Sequence, residues 1–392
     1  MNRTEDIDLK IEKLESEYAG LEYEEASSEN SDDCDEEMPF NADKIRIEQQ
    51  MLSVKYIIEL IDGNLLELNP GYQRNRVWTD NKRKSLLIES LMLRIPIPAF
   101  YFYENEESKF QVIDGQQRIG TIYDYVNNKF PLTGLEYLGD TCLKKYFKDL
   151  DVMYQQRIYR TQLAVNVLDA RSPKKVIYDI FRRINTGGMK LNPQEMRNAI
   201  CTPRVREFLK RSIKNKNYIK ATRGLVRDDR MDAQELVLRF YAFYTAYNFK
   251  TEELTYEYKN VALMLDDKVE ELNARSNEEL EKLYQKFDTT MSRCYDAFGK
   301  YCFTKIRRAD DSKVRDYINN SLFTAYSVLL SDSKYDGVKL QDYQDNVIKA
   351  FEEELQDIEY MNAITVGTGD RSKVQQNFKH SKEVLRKGLQ QC

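Results

Sequence analysis

The sequence changes character near residue 203, and this change constrains the fold more than any other feature. Before it, short apolar runs typical of strands alternate with segments of helical spacing. After it, helical spacing continues almost without interruption to residue 389, and no repeat of fixed period is present. The pattern predicts an α+β chain in which a domain with a sheet is followed by an all-helical domain.

Charge is distributed unevenly between the amino terminus and the rest of the chain. Residues 1–40 hold 15 Asp or Glu against three Lys or Arg, a net charge of −12. The whole chain carries −5, which leaves +7 on residues 41–392. We therefore expect residues 1–41 to be an acidic, largely disordered tail. Such a tail either only solvates the chain or mimics nucleic acid and shields a basic surface.

Two features of the composition exclude some classes of protein. The sequence contains no run of 18 apolar residues, so no membrane span is expected and a cytoplasmic location is the default. It also contains one histidine, His380, which excludes a His-rich metal site and makes a histidine-based catalytic triad difficult to build. Because His380 lies in a polar helical segment, we expect it at the surface.

Local signals predict the elements of the first domain. Ser53 is a suitable cap for a first helix, and Thr79-Asp80 opens a second one. Pro96 and Pro98 end this second helix and favour extended chain after it. The predicted order is helix 53–60, strand 65–68, helix 81–93, strand 99–103, strand 110–113, helix 116–127 and strand 162–168.

A polar junction at residues 113–118, Ile-Asp-Gly-Gln-Gln-Arg, follows the strand that ends at Ile113. Gly115 permits a sharp turn, and the helix that opens after it offers N–H groups and a positive dipole end to an anion. Arg118 supplies a planar fork suited to phosphate, and Asp114 suits a metal ion or a sugar hydroxyl. Gln116 and Gln117 can donate, accept or hold a water. The junction is thus either an anion site or a tight turn capped by its own side chains.

Two further clusters mix basic, aromatic and amide side chains. The first is Tyr72-Gln73-Arg74 with Arg76 and Trp78, which suits phosphate contacts and base stacking or, equally, a buried tryptophan with solvated arginines. The second is the segment 181–188, with Arg183, Asn185 and a glycine pair, followed by Leu191-Asn192 and residues 195–198. It either lines a ligand or balances a helix dipole.

These clusters resemble a known family when they are taken in order. Tyr-Gln-Arg…Trp, Ile-Pro-Ile-Pro, Val-Ile-Asp-Gly-Gln-Gln-Arg, Phe-Arg-Arg-Ile-Asn-Thr-Gly-Gly and Leu-Asn-Pro-Gln-Glu-Met-Arg-Asn-Ala look like the N-terminal domain of GmrSD-type modification-dependent restriction enzymes. The resemblance covers about residues 65–200. It implies a fold similar to ParB and sulfiredoxin, which we place at 42–170, followed by a helical domain at 171–392.

The resemblance also implies a nucleotide site. It transfers nucleotide binding to Asp114, Gly115, Gln116, Gln117 and Arg118, and extends to Gln73, Arg74, Arg183 and Asn185. Asp114 and Gln117 are the candidate catalytic residues, with a nucleoside triphosphate as cofactor and Mg²⁺ beside Asp114. Enzymes of this type also carry a His-Asn-His nuclease domain, and the single histidine predicts that this chain lacks it and works with a separate nuclease subunit.

The first functional hypothesis is therefore a nucleotide-binding module, with or without NTP hydrolysis, in DNA restriction or phage defence. The alternative is a DNA-binding or adaptor protein with a degenerate pocket, and a third is a structural partner that docks through its helices. A sulfiredoxin-like thiol activity is not expected, because no cysteine lies at 113–118. The identity of the nucleotide, the direct binding of DNA and the oligomeric state stay open.

Overall fold

A computed structural model describes residues 14, 16, 18–22, 46–68, 80–105, 108–169, 171–172, 192–306 and 316–390. The chain divides into two compact units, which we call the sheet unit, Asp35–Ala199, and the helical unit, Met1–Cys34 with Ile200–Cys392. This order confirms the predicted α+β class. The predicted domain boundary at 170 stays a prediction, because residues 173–191 lie outside the described residues.

The sheet unit contains a mixed five-stranded sheet of order β1-β5-β3-β4-β2. Antiparallel pairing joins β1 to β5 and β3 to β4, while β3 runs parallel to β5 and β2 parallel to β4. Its strands are β1 Ile47–Ser53, β2 Leu66–Glu67, β3 Phe100–Glu104, β4 Phe110–Asp114 and β5 Gln162–Asp169.

The helices of the sheet unit cover the apolar residues of this sheet. The Ser53 side chain accepts the N–H of Tyr56, which confirms the predicted cap. The Asp80 side chain accepts the N–H of Lys82, so the helix predicted to open at Thr79-Asp80 is capped by Asp80. The helices are α1 Val54–Asp62, α2 Asn81–Leu93, α3 Gln116–Val126, α4 Gly139–Cys142, α5 Val152–Arg160 and α6 Pro193–Ile200. A short 3₁₀ turn is also present at Phe147–Asp149.

Among the helices and strands of the sheet unit, β1, α4 and α5 were not predicted, and β1 and α5 are the two longer ones. Strand β1 exposes most of its side chains, and it is fixed by backbone pairing with β5, for example Leu52 opposite Leu163. Helix α5 buries only Ile158. Since neither element buries a periodic apolar face, hydrophobic periodicity could not detect them.

The helical unit is built around one large apolar core, rich in aromatic residues such as Phe240, Phe287 and Tyr326. Its helices are α7 Pro203–Ile213, α8 Lys216–Ala221, α9 Asp232–Ala246, α10 Val261–Ala274, α11 Asn277–Phe298, α12 Asn320–Leu330, α13 Gln344–Glu354, α14 Ile358–Ala363 and α15 Arg371–Gly388. Two-residue strands pair at Tyr247–Asn248 and Glu253–Leu254. Short 3₁₀ turns lie at Gly299–Tyr301, Ser333–Tyr335 and Leu340–Tyr343. Among the described residues, no helix has the length and apolar character needed to span a membrane.

Part of the predicted acidic tail packs on the helical unit. Ala19 and Leu21 are buried in its core, and Leu21 forms a parallel bridge with Ile318. Glu22 places one carboxylate oxygen 2.7 Å from Lys305 Nζ and the other 3.0 Å from Asn319 Nδ2. Residues 18–22 are therefore an anchored segment within the tail and not a solvated one.

The prediction that His380 lies at the surface is wrong. Helix α15 buries one side against the unit, and the His380 ring stacks on Tyr360 of α14 at a centroid distance of 5.2 Å. Its side chain is 9% exposed. The surrounding sequence is polar because the opposite side of α15 faces solvent, so local composition gave the wrong burial.

Candidate functional site

The junction between β4 and α3 adopts the backbone that its sequence indicated. Strand β4 ends at Asp114, and Gly115 follows with φ +97° and ψ 7° as the residue before helix α3. This left-handed conformation strains any residue with a Cβ. Gly115 has no side chain with which to cap the helix, and the positive end of the α3 dipole lies at this turn.

Gly115 is also required because β3 passes close to it. A Cβ at this position would lie 2.2 Å from Cδ1 and 2.8 Å from Cε1 of Phe100. Phe100 is a fully buried residue of β3. The glycine therefore lets the turn rest directly on the sheet, which fixes where α3 begins.

The Arg118 guanidinium is held from several sides. Its Nη2 lies 2.9 Å from Asp114 Oδ2 and donates to the Ala99 carbonyl at 3.3 Å, while its Nη1 donates to the Pro98 carbonyl. The guanidinium carbon stands 4.4 Å from the centre of the Phe100 ring. Arg118 thus connects the start of α3 to the end of β4 and to the extended chain before β3.

Burial and the neighbouring charge of Asp114 shift the pKa of Arg118 in opposite directions. Burial lowers the pKa of Arg118, whereas the charge of Asp114 and its hydrogen bond raise it. The Arg118 side chain is 15% exposed and that of Asp114 is 33% exposed, so the ion pair lies at the edge of the structure and is not sealed inside it. An arginine in this setting remains charged and holds the carboxylate in one orientation.

Gln116 ties the junction to the neighbouring strand. Its side chain is buried, and its Nε2 donates to the Leu68 carbonyl at 2.8 Å. Leu68 directly follows β2 and is the last described residue before the segment that contains Gln73 and Arg74. Gln117 lies in the first turn of α3 and is half-buried.

The structure therefore brings together five of the nine predicted site residues, namely Asp114, Gly115, Gln116, Gln117 and Arg118. The other four, Gln73, Arg74, Arg183 and Asn185, lie outside the described residues. The phosphate contact predicted for Arg118 stays a prediction, and the ion pair with Asp114 is the contact seen in this structure.

Buried polar side chains at α6 belong to the cluster that begins at residue 181, but they are not among the nine predicted site residues. Asn192 and Glu195 form a reciprocal cap, each side chain accepting the other's backbone N–H at 2.7 Å. Behind it, Gln194, Arg197 and Asn198 are almost fully buried, and Arg197 is only 1% exposed. Gln194 bonds to both Asn198 and Arg197.

Fully buried arginines are rare and require partners. The signal for this cluster was present in the sequence, because polar residues fill four of the five positions 194–198, a run that an ordinary amphipathic helix does not need. We therefore count Gln194, Arg197 and Asn198 as further candidate site residues.

Comparison with known protein families supports the resemblance that the order of the motifs indicated. The model of the family described as GmrSD restriction endonuclease, N-terminal domain, matches residues 57–202. This range begins in α1 and ends just after α6, so it includes the β4–α3 junction and the buried polar run. No curated protein and no solved structure gives a significant match. Over residues 57–202 the chain is therefore similar to the N-terminal domain of GmrSD restriction endonucleases.

Proposed function

We propose that the β4–α3 junction binds the phosphates of a nucleoside triphosphate, in a module that serves DNA restriction or phage defence. The observation that carries this proposal is Gly115, whose left-handed backbone leaves the start of α3 without a side-chain cap at the end of a sheet strand. Helix starts of this kind attract phosphate through backbone N–H groups and the helix dipole. The family match over 57–202 adds the link to restriction.

The contacts of Arg118 refine how the site works in this proposal. Because Arg118 is bound to Asp114 and to the carbonyls of residues 98 and 99, we assign it a positioning role. It holds the Asp114 carboxylate at the mouth of the turn, where that carboxylate can accept a sugar hydroxyl. The phosphates would then rest on the first turn of α3, where Gln117 is the residue we assign to orient a water for hydrolysis.

The described residues of the β4–α3 junction do not form a magnesium site by themselves. Asp114 is the only carboxylate of the described junction, and Arg118 Nη2 already lies 2.9 Å from its Oδ2. A second cation beside that oxygen would be repelled by the guanidinium. We propose instead that Mg²⁺ arrives on the triphosphate, with Gln73, Arg74, Arg183 and Asn185 as further candidates to contact the nucleotide.

Equilibrium binding of radiolabelled ATP and GTP, with Mg²⁺ or with EDTA, tests the site. We expect Asp114→Asn and Gln117→Ala each to lower affinity at least tenfold, a difference of about 1.4 kcal/mol. Gln156→Ala is the matched control, since Gln156 is an exposed glutamine on α5 of the same unit. Release of inorganic phosphate measures the hydrolytic step. Equal affinity in all four proteins would remove the junction as the binding site.

A nuclease partner completes this proposal. The sequence contains a single histidine, and His380 is buried in the helical unit beside Tyr360. We propose that cutting is performed by a separate subunit and that the nucleotide domain senses or switches it. Co-purification with a nuclease encoded beside this chain, in the presence and absence of nucleotide, is the corresponding measurement.

DNA binding is the second candidate, and the charge distribution favours it. Residues 41–392 carry +7, and the acidic residues are concentrated at the amino terminus. Because residues 18–22 pack on the helical unit, deleting residues 1–40 would damage the fold as well as remove charge. A better variant converts the eight acidic residues between 24 and 37 to their amides.

We expect the neutralised variant to bind duplex DNA more tightly than the unmodified chain in a gel-shift assay, with a steeper decrease in affinity as salt rises. A variant in which the same number of exposed lysines in the helical unit is changed to glutamine provides the opposite charge change. If the neutralised variant and the unmodified chain bind DNA equally, the tail does not shield a basic surface.

A further inference from the structure

The buried histidine of the helical unit faces two carboxylates that nothing above uses. His380 lies on α15, and Asp357 and Glu359 lie at the start of α14. One potential ligand atom from each of the three lies within 4.8 Å of the other two. Both carboxylates are exposed, whereas the histidine side chain is nine-tenths buried.

The hydrogen bonding of His380 determines which ring nitrogen faces this cluster. Nδ1 lies 2.7 Å from Glu354 Oε1, and a carboxylate oxygen can only accept, so Nδ1 carries the proton. Nε2 is buried and has no hydrogen-bond partner among the described residues. It lies 3.7 Å from Glu359 Oε2, a distance too long for a hydrogen bond.

An unpaired buried ring nitrogen directed at carboxylates is unfavourable unless it takes up a proton or a metal cation lies between them. When Nδ1 carries the only proton of the ring, Nε2 directs its lone pair at two negative groups. A metal ion would use that lone pair and also relieve the repulsion between the two carboxylates. This arrangement is the second observation, beside the acidic residues themselves, that points to a ligand.

The surroundings orient all three side chains. Glu354 is a nearly buried carboxylate, and one of its oxygens lies 2.9 Å from Lys387 Nζ. A carboxylate held in this way fixes the orientation of the His380 ring, as carboxylates behind metal-bound histidines do. Gln376 Nε2 donates to Glu359 Oε1 at 2.7 Å, which leaves Oε2 as the oxygen nearest the ring. Asp357 Oδ1 accepts the backbone N–H of Tyr360 and caps α14.

We propose that His380 Nε2, Glu359 and Asp357 bind a divalent transition-metal ion of the zinc type. One imidazole and two carboxylates suit zinc, and the imidazole disfavours the hard cations Mg²⁺ and Ca²⁺. Metal–ligand distances of about 2.0–2.2 Å require the side chains to move together by roughly 1 Å, which is feasible because Glu359 is 51% exposed. The bound ion would link α14 to α15 and leave one coordination position for water.

The single histidine of the sequence makes a direct test possible. In full-length protein labelled with ¹⁵N-histidine and freed of metal by chelator dialysis, one imidazole contributes to the spectrum. We expect one equivalent of ZnCl₂ to shift the Nε2 resonance while Nδ1 keeps its proton, and MgCl₂ to leave both unchanged. An Nε2 resonance that does not respond to saturating zinc would overturn the proposal.

Affinity measurements identify the other ligands by zinc titration. We expect at least a tenfold loss of zinc affinity for Glu359→Gln and for Asp357→Asn, which keeps a residue able to cap α14. Glu354→Gln should lower zinc affinity about 10–100-fold, because Glu354 orients the His380 ring without contacting the metal. Glu352→Gln, an exposed carboxylate on the same helix as Glu354, should bind zinc normally. Equal affinity of Glu359→Gln and the unmodified chain would contradict the assignment, wherever else zinc binds.

Discussion

Gly115→Ala is expected to destabilise the sheet unit by about 2–5 kcal/mol and to abolish nucleotide binding. The left-handed backbone costs an alanine about 1–2 kcal/mol. The added methyl would also overlap the Phe100 ring, and overpacking of that kind costs about 1–3 kcal/mol. Since Arg118 stacks on the same ring, displacing Phe100 would also disturb the Arg118–Asp114 pair.

Urea unfolding of the full chain measures this effect. Hydrogen exchange of peptides from residues 46–169 reports the sheet unit separately from the helical unit. Gly139→Ala is the matched control, because Gly139 lies at the start of α4 and nothing stands within 4 Å of an added Cβ. We expect that control to stay within about 0.5 kcal/mol of the unmodified chain. An unchanged urea midpoint for Gly115→Ala would show that the turn tolerates a side chain.

Glu89→Ala is expected to cost the sheet unit about 3–5 kcal/mol. Glu89 is 3% exposed on α2, and its two oxygens accept three backbone N–H groups, from Glu136 at 3.0 Å, Tyr137 at 2.8 Å and Leu138 at 2.7 Å. Alanine would leave these donors without their acceptor. The loop before α4 would then lose the contacts that fix it to α2.

Two variants separate this hydrogen bonding from a general effect of charge. Glu89→Gln keeps one acceptor oxygen, so we expect a loss smaller than that of alanine. Glu59→Ala removes an exposed carboxylate on α1 that lies 3.9 Å from Lys55 Nζ. This variant should change the stability of the sheet unit very little. Hydrogen exchange of the sheet unit at increasing urea concentration provides the measurement. If Glu89→Ala and Glu59→Ala unfold at the same urea concentration, the three hydrogen bonds contribute no net stability.

The elements that position the site were predictable because each has a local signal. Asp80 with the helix after it, the strand that ends at Asp114 and the Asp-Gly turn all depend on neighbouring residues in the sequence. The order of the motifs also predicted the similarity to the GmrSD N-terminal domain over nearly the whole range that the family model matches. Edge strand β1 was missed because its stability comes from pairing with β5, which lies more than 100 residues away.

The partners of the site residues could not be predicted from the sequence. The bond from Gln116 to Leu68 depends on β2 lying beside β4, and the bonds of Arg118 depend on where the chain of residues 98 and 99 enters β3. These contacts also give the Ile-Pro-Ile-Pro motif a role. The extended chain that Pro96 and Pro98 favour supplies the Pro98 carbonyl, to which Arg118 Nη1 donates.

The anchored segment 18–22 has a consequence for how the chain is made. Glu22 and its partner Asn319 are 297 residues apart, so at roughly 5–20 residues per second a ribosome needs about 15–60 s to synthesise the chain between them. The sheet unit leaves the ribosome within that interval and can fold first. Segment 18–22 can pack on the helical unit only after the carboxyl-terminal half of that unit has been synthesised. Expression at reduced translation rate should therefore lengthen the time for which Leu21 is exposed to proteases.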